Sequence, residues 1–429
     1  MIDADLAVVG AAELLTLGGA APRLGAALRD LRIVPDGSVA ARDGRIVFAG
    51  TTAEFRRAVR LLPAARTVDA AGAVVLPGFV DPHTHLPFAG WRDREFVRRL
   101  EGATYESIAA EGGGIQSTVA ATRAASVDDL VDLARGRLDR MLLHGTTTVE
   151  AKSGYGLTQD DEIKQLEALA RLAAEHPMRI VPTFLGAHIV PAERRADRDA
   201  YVAEVAGPML RAVAGRGLAR ACDVFVDPGA FSAAEGETIL GAARAAGLAL
   251  RVHADQRRAC GGALLAARLG ALSADHLDYV EPDGIEALRR AGTTAVLIPG
   301  AAFFLRDPRD APARALIDAG VPVALATDFN PGTCPTEAMT AILPIACLRL
   351  GLLPAEAIAA ATINAAHALG LAGETGSLET GKAADLVVVE APNHRHLAYR
   401  FGVNPCRTVV RGGRVVVDEG RLTLPRARG

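Results

Sequence analysis

The sequence predicts an α/β protein, a TIM (β/α)8 barrel carrying a β-rich module assembled from both chain ends. Three observations predict it. Through the middle of the chain, eight apolar runs of strand length alternate with stretches of helical period, the signature of a parallel sheet wrapped by helices. The residues up to about 76, and those from about 377 onward, read as short strands joined by turns. Polar residues gather where the eight runs end, and strand ends are where such barrels keep their active sites.

The segment 1–76 opens with strand–turn–strand patterning, for example Ser38-Val39-Ala40-Ala41, then Arg42-Asp43-Gly44-Arg45, then Ile46-Val47-Phe48-Ala49. The barrel segment, 77–376, follows. Its runs end near His83, Lys152, His188, Asp227, His253, His276, Ile298 and Asp328. One intervening helix shows its caps: Ser126 stands three residues before Asp129, Leu130, Leu133, Leu138 and Met141 give the apolar period, and Gly145 stops it. The segment 377–429 returns to strands in Ala384-Asp385-Leu386-Val387-Val388-Val389 and on either side of Gly412-Gly413. A doubly wound open sheet would need a glycine-rich loop after its first strand, and none follows here.

Composition narrows the function. The chain has 429 residues, 50% hydrophobic and 23% charged, with 44 glycines and 23 prolines, too apolar for a disordered chain and rich enough for an enzyme-sized core. A net charge of -3 gives no field to draw the protein to nucleic acid or an anionic membrane, so the expected partner is a small molecule. Five cysteines, widely spaced and without a Cys-x-x-Cys pair, exclude a disulfide scaffold. Acids stand where a signal peptide carries basic residues, and no apolar run reaches spanning length, so the expected compartment is the cytoplasm.

The chemistry begins at His83-Thr84-His85. Side chains alternate along a strand, so residues two apart face the same way and both imidazoles can reach one ion. Alone, the pair would read as a chance turn. His253 and Asp328, however, also end apolar runs that give no other reason for a polar residue. Three imidazoles and one carboxylate suit one divalent ion, zinc or ferrous iron, with a position left for water whose pKa the ion lowers towards about 7.

With Pro77-Gly78-Phe79-Val80-Asp81-Pro82-His83-Thr84-His85, His253, His276 and Asp328, the chain resembles the amidohydrolase superfamily in its mononuclear branch. That resemblance implies a barrel with a composite β-sandwich domain. Lys152-Ser153-Gly154-Tyr155-Gly156-Leu157, Phe184-Leu185-Gly186-Ala187-His188 and Thr327-Asp328-Phe329-Asn330-Pro331-Gly332-Thr333 look more closely like the branch members that open an imidazolone ring in histidine degradation. The implied reaction is hydrolysis of 4-imidazolone-5-propanoate to N-formimidoyl-L-glutamate. Carried over position by position, the resemblance gives His83, His85, His253 and Asp328 as metal ligands. Arg92, Tyr155, His188, Gln256, Asn330, Gly332 and Thr333 would line the substrate site. A homodimer is also implied.

The chemistry of these residues is compatible. A propanoate needs a cationic partner, and the guanidinium of Arg92 binds a carboxylate bidentately. In the expected reaction, hydroxide generated at the ion attacks the ring carbonyl, Asp328 takes the released proton, and His276 polarises the carbonyl oxygen. Strand alternation places Asp275 on the face opposite His276. Lys152 reads as a structural ion pair; the alternative is a carboxylated lysine bridging two metals, as in binuclear relatives. Gln256 separates the two closest enzyme readings: heterocycle deaminases of the same branch place a proton-shuttling glutamate at this position, whereas glutamine exchanges no proton near neutral pH. A third reading, a non-catalytic scaffold, would be expected to lose ligands, and none is lost here. The glycine-rich stretch from Glu111 to Ile115 reads as a loop over the barrel mouth, and Cys334 as a buried filler.

Overall fold

A computed structural model describes residues 1–103, 107–108 and 112–423. Among these residues the barrel segment supplies eight parallel strands hydrogen-bonded in chain order. They follow five strands of the N-terminal region, β1 (Ile2–Leu15), β2 (Ile33–Arg42), β3 (Arg45–Thr51), β4 (Val59–Asp69) and β5 (Val74–Pro77). The barrel strands are β6 (Phe79–Asp81), β7 (Thr146–Lys152), β8 (Arg179–Ala187), β9 (Ala221–Val226), β10 (Ala249–Ala254), β11 (Ser273–His276), β12 (Thr294–Leu297) and β13 (Val323–Leu325). Each of the eight apolar runs is one strand. β14 (Leu386–Val389), β15 (Cys406–Arg411), β16 (Arg414–Asp418) and β17 (Arg421–Leu422) close the described chain.

The seam between β6 and β13 decides where the chemistry sits. Past their last strand residues the two chains stay paired: Asp328 N donates to His83 O at 3.0 Å, His85 N donates to Phe329 O at 2.9 Å, and Thr84 bridges Phe329 in parallel. Beneath these, the buried Asp81 carboxylate accepts from Thr327 N at 3.1 Å and Thr327 Oγ1 at 2.5 Å. Closing the barrel therefore brings the two histidines and the aspartate to one point.

The terminal strands form a nine-stranded mixed sheet among the described residues, ordered β17-β16-β15-β14-β5-β1-β2-β3 with β4 paired to β1. Alternation divides its two faces. Leu15, Val74, Leu76, Val387 and Val389 join the large barrel core, while Leu14, Val75, Leu386 and Val388 join the sheet's own core. β5 belongs to this sheet and β6 to the barrel, and Gly78 links them. A Cβ there would fall 2.3 Å from Thr147 Oγ1, so the crossing needs glycine.

Local signals act as the sequence implies. Asp43 and Gly44 both take positive φ in the β2–β3 hairpin, as a tight hairpin turn requires. The helix Val127–Leu143 starts in a Ser126/Asp129 capping box and buries Leu130, Leu138 and Met141. Leu133 departs from the expected apolar face: it is 41% exposed. Its place on the period is marginal, and the neighbouring face that meets the barrel is filled by Ala134 and Arg137 instead.

Candidate active site

The strand ends surround a cavity of about 630 Å³. Its lining includes His85, Arg92, Tyr155, His188, His253, Gln256, His276, Asp328, Asn330 and Thr333. His83 lies just beneath, its ring 4.3 Å from that of His253 and 5.4 Å from that of His276. Gly332, like His83, is not part of the lining and lies against Arg92.

Imidazole and carboxylate atoms converge on one point. His85 Nε2 is 3.3 Å from His253 Nε2 and 3.4 Å from Asp328 Oδ1, which is 3.5 Å from His83 Nε2. The donor atoms of His83, His85 and His253, and those of His83, His276 and Asp328, each lie within 4.8 Å of one another. Two tests of metal fit come from the histidines. His83 Nε2 is buried without a hydrogen-bond partner, a cost that an ion would remove. Burial also holds His83 and His85 well below the ordinary imidazole pKa, with Lys152 and the neighbouring histidines adding to it, so both rings stay neutral and keep the lone pairs a metal needs. Nitrogen and oxygen donors in this set suit zinc or iron.

Carboxylates lie behind both rings. His83 Nδ1 hydrogen-bonds Asp275 Oδ2 at 2.6 Å, which turns its Nε2 towards the cluster. His253 Nδ1 is 3.0 Å from Asp223 Oδ2, a charge contact without hydrogen-bond alignment. Here the expectation from strand alternation fails, because Asp275 and His276 both approach His83. The backbone explains it: His276 has φ 76° and Leu277 φ 67°, so the strand turns into the left-handed region at its last residue and swings the imidazole back over the barrel mouth. Asp328 (φ 53°) and Asp255 (φ 50°) do the same at their own strand ends. Such conformations cost on the order of 1–3 kcal/mol each and persist where the surroundings enforce them.

Lys152 is fully buried and pairs with Glu150 Oε1 and Asp223 Oδ2, each at 2.9 Å. Burial alone would lower its pKa, but Asp223, Glu150 and Asp275 more than offset it and raise it. The expected ion pair is present.

Around the cluster, each wall residue has a particular posture. His188 stacks on His85 at 4.9 Å and 17°, and its Nδ1 is 2.9 Å from Gly154 O. Nδ1 therefore carries the proton and Nε2 is an acceptor. Burial keeps this ring neutral too. The loop bearing Tyr155 is held from below by Glu162, whose carboxylate accepts from Gly154 N, Gly156 N and Leu157 N at 2.8 to 3.2 Å. Gln165 adds a bond from Tyr155 N.

Asn330 Nδ2 donates to Asp328 O and Thr333 Oγ1, and its Oδ1 accepts from Gly332 N and Thr333 N, all at 2.6 to 2.8 Å. Its amide is spent on shaping the loop. Thr333 Oγ1 in turn reaches Asp328 Oδ2 at 3.2 Å. Burial raises the Asp328 pKa against the opposing pull of His276 and His253. Burial pushes that of His276 down to about 3, so His276 is a neutral donor at neutral pH.

Arg92 Nε donates to Glu95 at 2.8 Å. Gly113 and Ile115 of the glycine-rich stretch line the cavity, while Glu111 lies outside the described residues. Cys334 is buried, and burial drives its thiol well above the ordinary range, as an inert filler requires.

Sequence reading gave Glu150, Asp223, Asp275 and Arg195 no role in the site. Glu150, Asp223 and Asp275 each interrupt an apolar strand with a carboxylate, which was the signal available. Arg195, after β8, lines the cavity and has no carboxylate partner among the described residues.

Comparison with known proteins agrees with this architecture. Residues 74–416 match the amidohydrolase family. Among solved structures, a zinc-bound adenosine deaminase from Xanthomonas campestris superposes with a TM-score of 0.71 at 22% identity, covering 98% of this chain and 94% of that one. A zinc-complexed atrazine chlorohydrolase from Arthrobacter aurescens gives 0.72 at 18%, covering 98% and 97%. These two share the fold. The sequence is far nearer to the imidazolonepropionase of Symbiobacterium thermophilum, 52% identical over 97% of this chain and 98% of the relative. That of Geobacillus kaustophilus is 50% identical over 96% and 98%. Sharing half its residues with these enzymes over nearly their whole length, the chain belongs to the imidazolonepropionases of the amidohydrolase family.

Proposed function

We infer that the protein hydrolyses 4-imidazolone-5-propanoate to N-formimidoyl-L-glutamate with one bound zinc or iron ion. The observation that carries this reading is a single cavity with neutral imidazoles and Asp328 on its floor and Arg92 on its wall. A small acid with a ring amide needs both.

His83, His85, His253 and Asp328 are the proposed ligands, and the ion would supply a Lewis acid that polarises the carbonyl and makes water nucleophilic near neutral pH. The chain's own groups do the rest. Arg92 pairs with the propanoate through the face of its guanidinium that Glu95 leaves open. His188 Nε2 accepts from a ring N–H, with Tyr155 packed beside it. His276 donates a hydrogen bond to the carbonyl oxygen as charge develops there. Water oxygen bonds to the carbonyl carbon and its proton passes to Asp328. The ring C–N bond then breaks as that proton reaches the leaving nitrogen. Gln256 orients the substrate by hydrogen bonds and carries no proton. Asn330, Gly332 and Thr333 keep Asp328 and Arg92 in place.

No helix among the described residues is long and apolar enough to cross a membrane, and a cytoplasmic homodimer accompanies this reading. The test is a spectrophotometric assay of purified protein. Imidazolone propanoate should be consumed, and cytosine, guanine and adenosine left intact; robust deamination of any of the three would overturn the assignment.

A further inference from the structure

We propose that Lys152 is a positioning residue for the ion, the hub through which three buried carboxylates hold separate ligand-bearing segments in place. The proposal rests on the reading of His83, His85 and His253 as ligands. The Lys152 ammonium lies 2.9 Å from Glu150 Oε1, 2.9 Å from Asp223 Oδ2 and 4.0 Å from Asp275 Oδ2, and all four side chains are fully buried. The ammonium donates to Glu150, and Asp223 and Asp275 lie within ion-pair range of its charge.

Every one of these carboxylates ends on a different part of the site. Glu150 Oε2 accepts from Thr84 N at 3.2 Å, fixing the peptide between His83 and His85. Asp223 Oδ1 accepts from His253 N at 3.1 Å while its Oδ2 faces His253 Nδ1. Asp275 Oδ2 faces His83 Nδ1. Four strands, β7, β9, β10 and β11, and the turn after β6 are thus tied to one positive charge.

Without that charge, three carboxylates would share a dry pocket. Like charges so placed repel one another and would press the segments that carry them apart. Thr84 N, His253 N and His83 Nδ1 would then lose the carboxylate oxygens that hold them, and the ligand-bearing segments would lose their alignment. The same crowding argues against carboxylation of Lys152, which would set a fourth negative group against the other three.

The test is zinc release from the full-length, zinc-loaded protein into excess chromophoric chelator. Lys152→Met should release zinc about tenfold faster or more, within the range that outer-shell losses produce, with far-ultraviolet circular dichroism and elution volume unchanged. Glu150→Gln, which leaves Asp223 and Asp275 their cation, should release it roughly threefold faster. A folded Lys152→Met protein releasing zinc at the parental rate overturns the proposal. If that variant does not fold, Glu150→Gln decides, and a parental rate overturns it equally. A parent protein that retains no zinc or iron contradicts the ligand reading instead, and a carboxylated Lys152 in a crystal of the loaded protein contradicts the hub.

Discussion

Gly332 and Arg92 are built around each other: a Cβ on the glycine would fall 2.1 Å from Arg92 Nη1. The arginine, 11% exposed with Glu95 on its Nε, rests in the space that a missing side chain provides. Gly332→Ala should therefore push the guanidinium off its seat. Steady-state kinetics should show KM for imidazolone propanoate raised about tenfold, the scale of one charged hydrogen bond, with a smaller change in kcat. An unchanged KM would place the carboxylate elsewhere.

His253→Ala removes a donor atom from the cluster without opening the barrel core, since its neighbours on β10, Val252 and Ala254, do the packing. Elemental analysis of the purified variant should find less than a tenth of the metal bound by the parent, roughly as expected when one of four ligands is lost, with the thermal unfolding still cooperative. Full metal content would remove His253 from the ligand set.

Glu162 takes up three backbone N–H groups of the loop that carries Tyr155. In Glu162→Ala those donors would stay buried and unpaired, each costing about 1–3 kcal/mol. Urea unfolding should show a loss of about 3 kcal/mol or more, together with a raised KM, because Tyr155 lies on that loop and His188 bonds to its Gly154 O. A neutral substitution would mean that water replaces the carboxylate.

Glu235 offers a test of acid sensitivity outside the histidine cluster. Its bonds with Arg198, then with Ser232, hold its carboxyl down to about 2. A depressed carboxyl stabilises the fold above its unfolded pKa, about 4.3, and that contribution disappears as pH falls towards 2. Glu235→Gln should be less stable than the parent by on the order of 1 kcal/mol at pH 7 after allowance for solvent screening, with the gap narrowing below about pH 4. A gap independent of pH would assign the effect to the helix cap alone.

Much of this architecture is legible in the sequence because a polar residue ending an apolar run marks both a strand terminus and a cavity wall. His83, His253, His276 and Asp328 are of that kind, and the structure brings them together at the barrel mouth. What stays hidden depends on backbone detail and on partners distant in sequence. The reversed face of His276 follows from its positive φ, which no alternation rule anticipates. Asn330 looks like a free amide in sequence, yet its loop uses both of its ends. The meeting of Glu150, Asp223 and Asp275 at Lys152 requires β7, β9 and β11 to be in register first.

Hydrolysis at the His83–His85–His253–Asp328 centre is tested most directly by remetallating chelator-stripped protein with zinc or ferrous iron and measuring imidazolone propanoate consumption at each step. Activity should rise linearly with bound metal and level off at about one ion per chain, as one closely spaced donor set dictates. Full activity in the stripped protein, or a plateau reached only at two ions per chain, would contradict it.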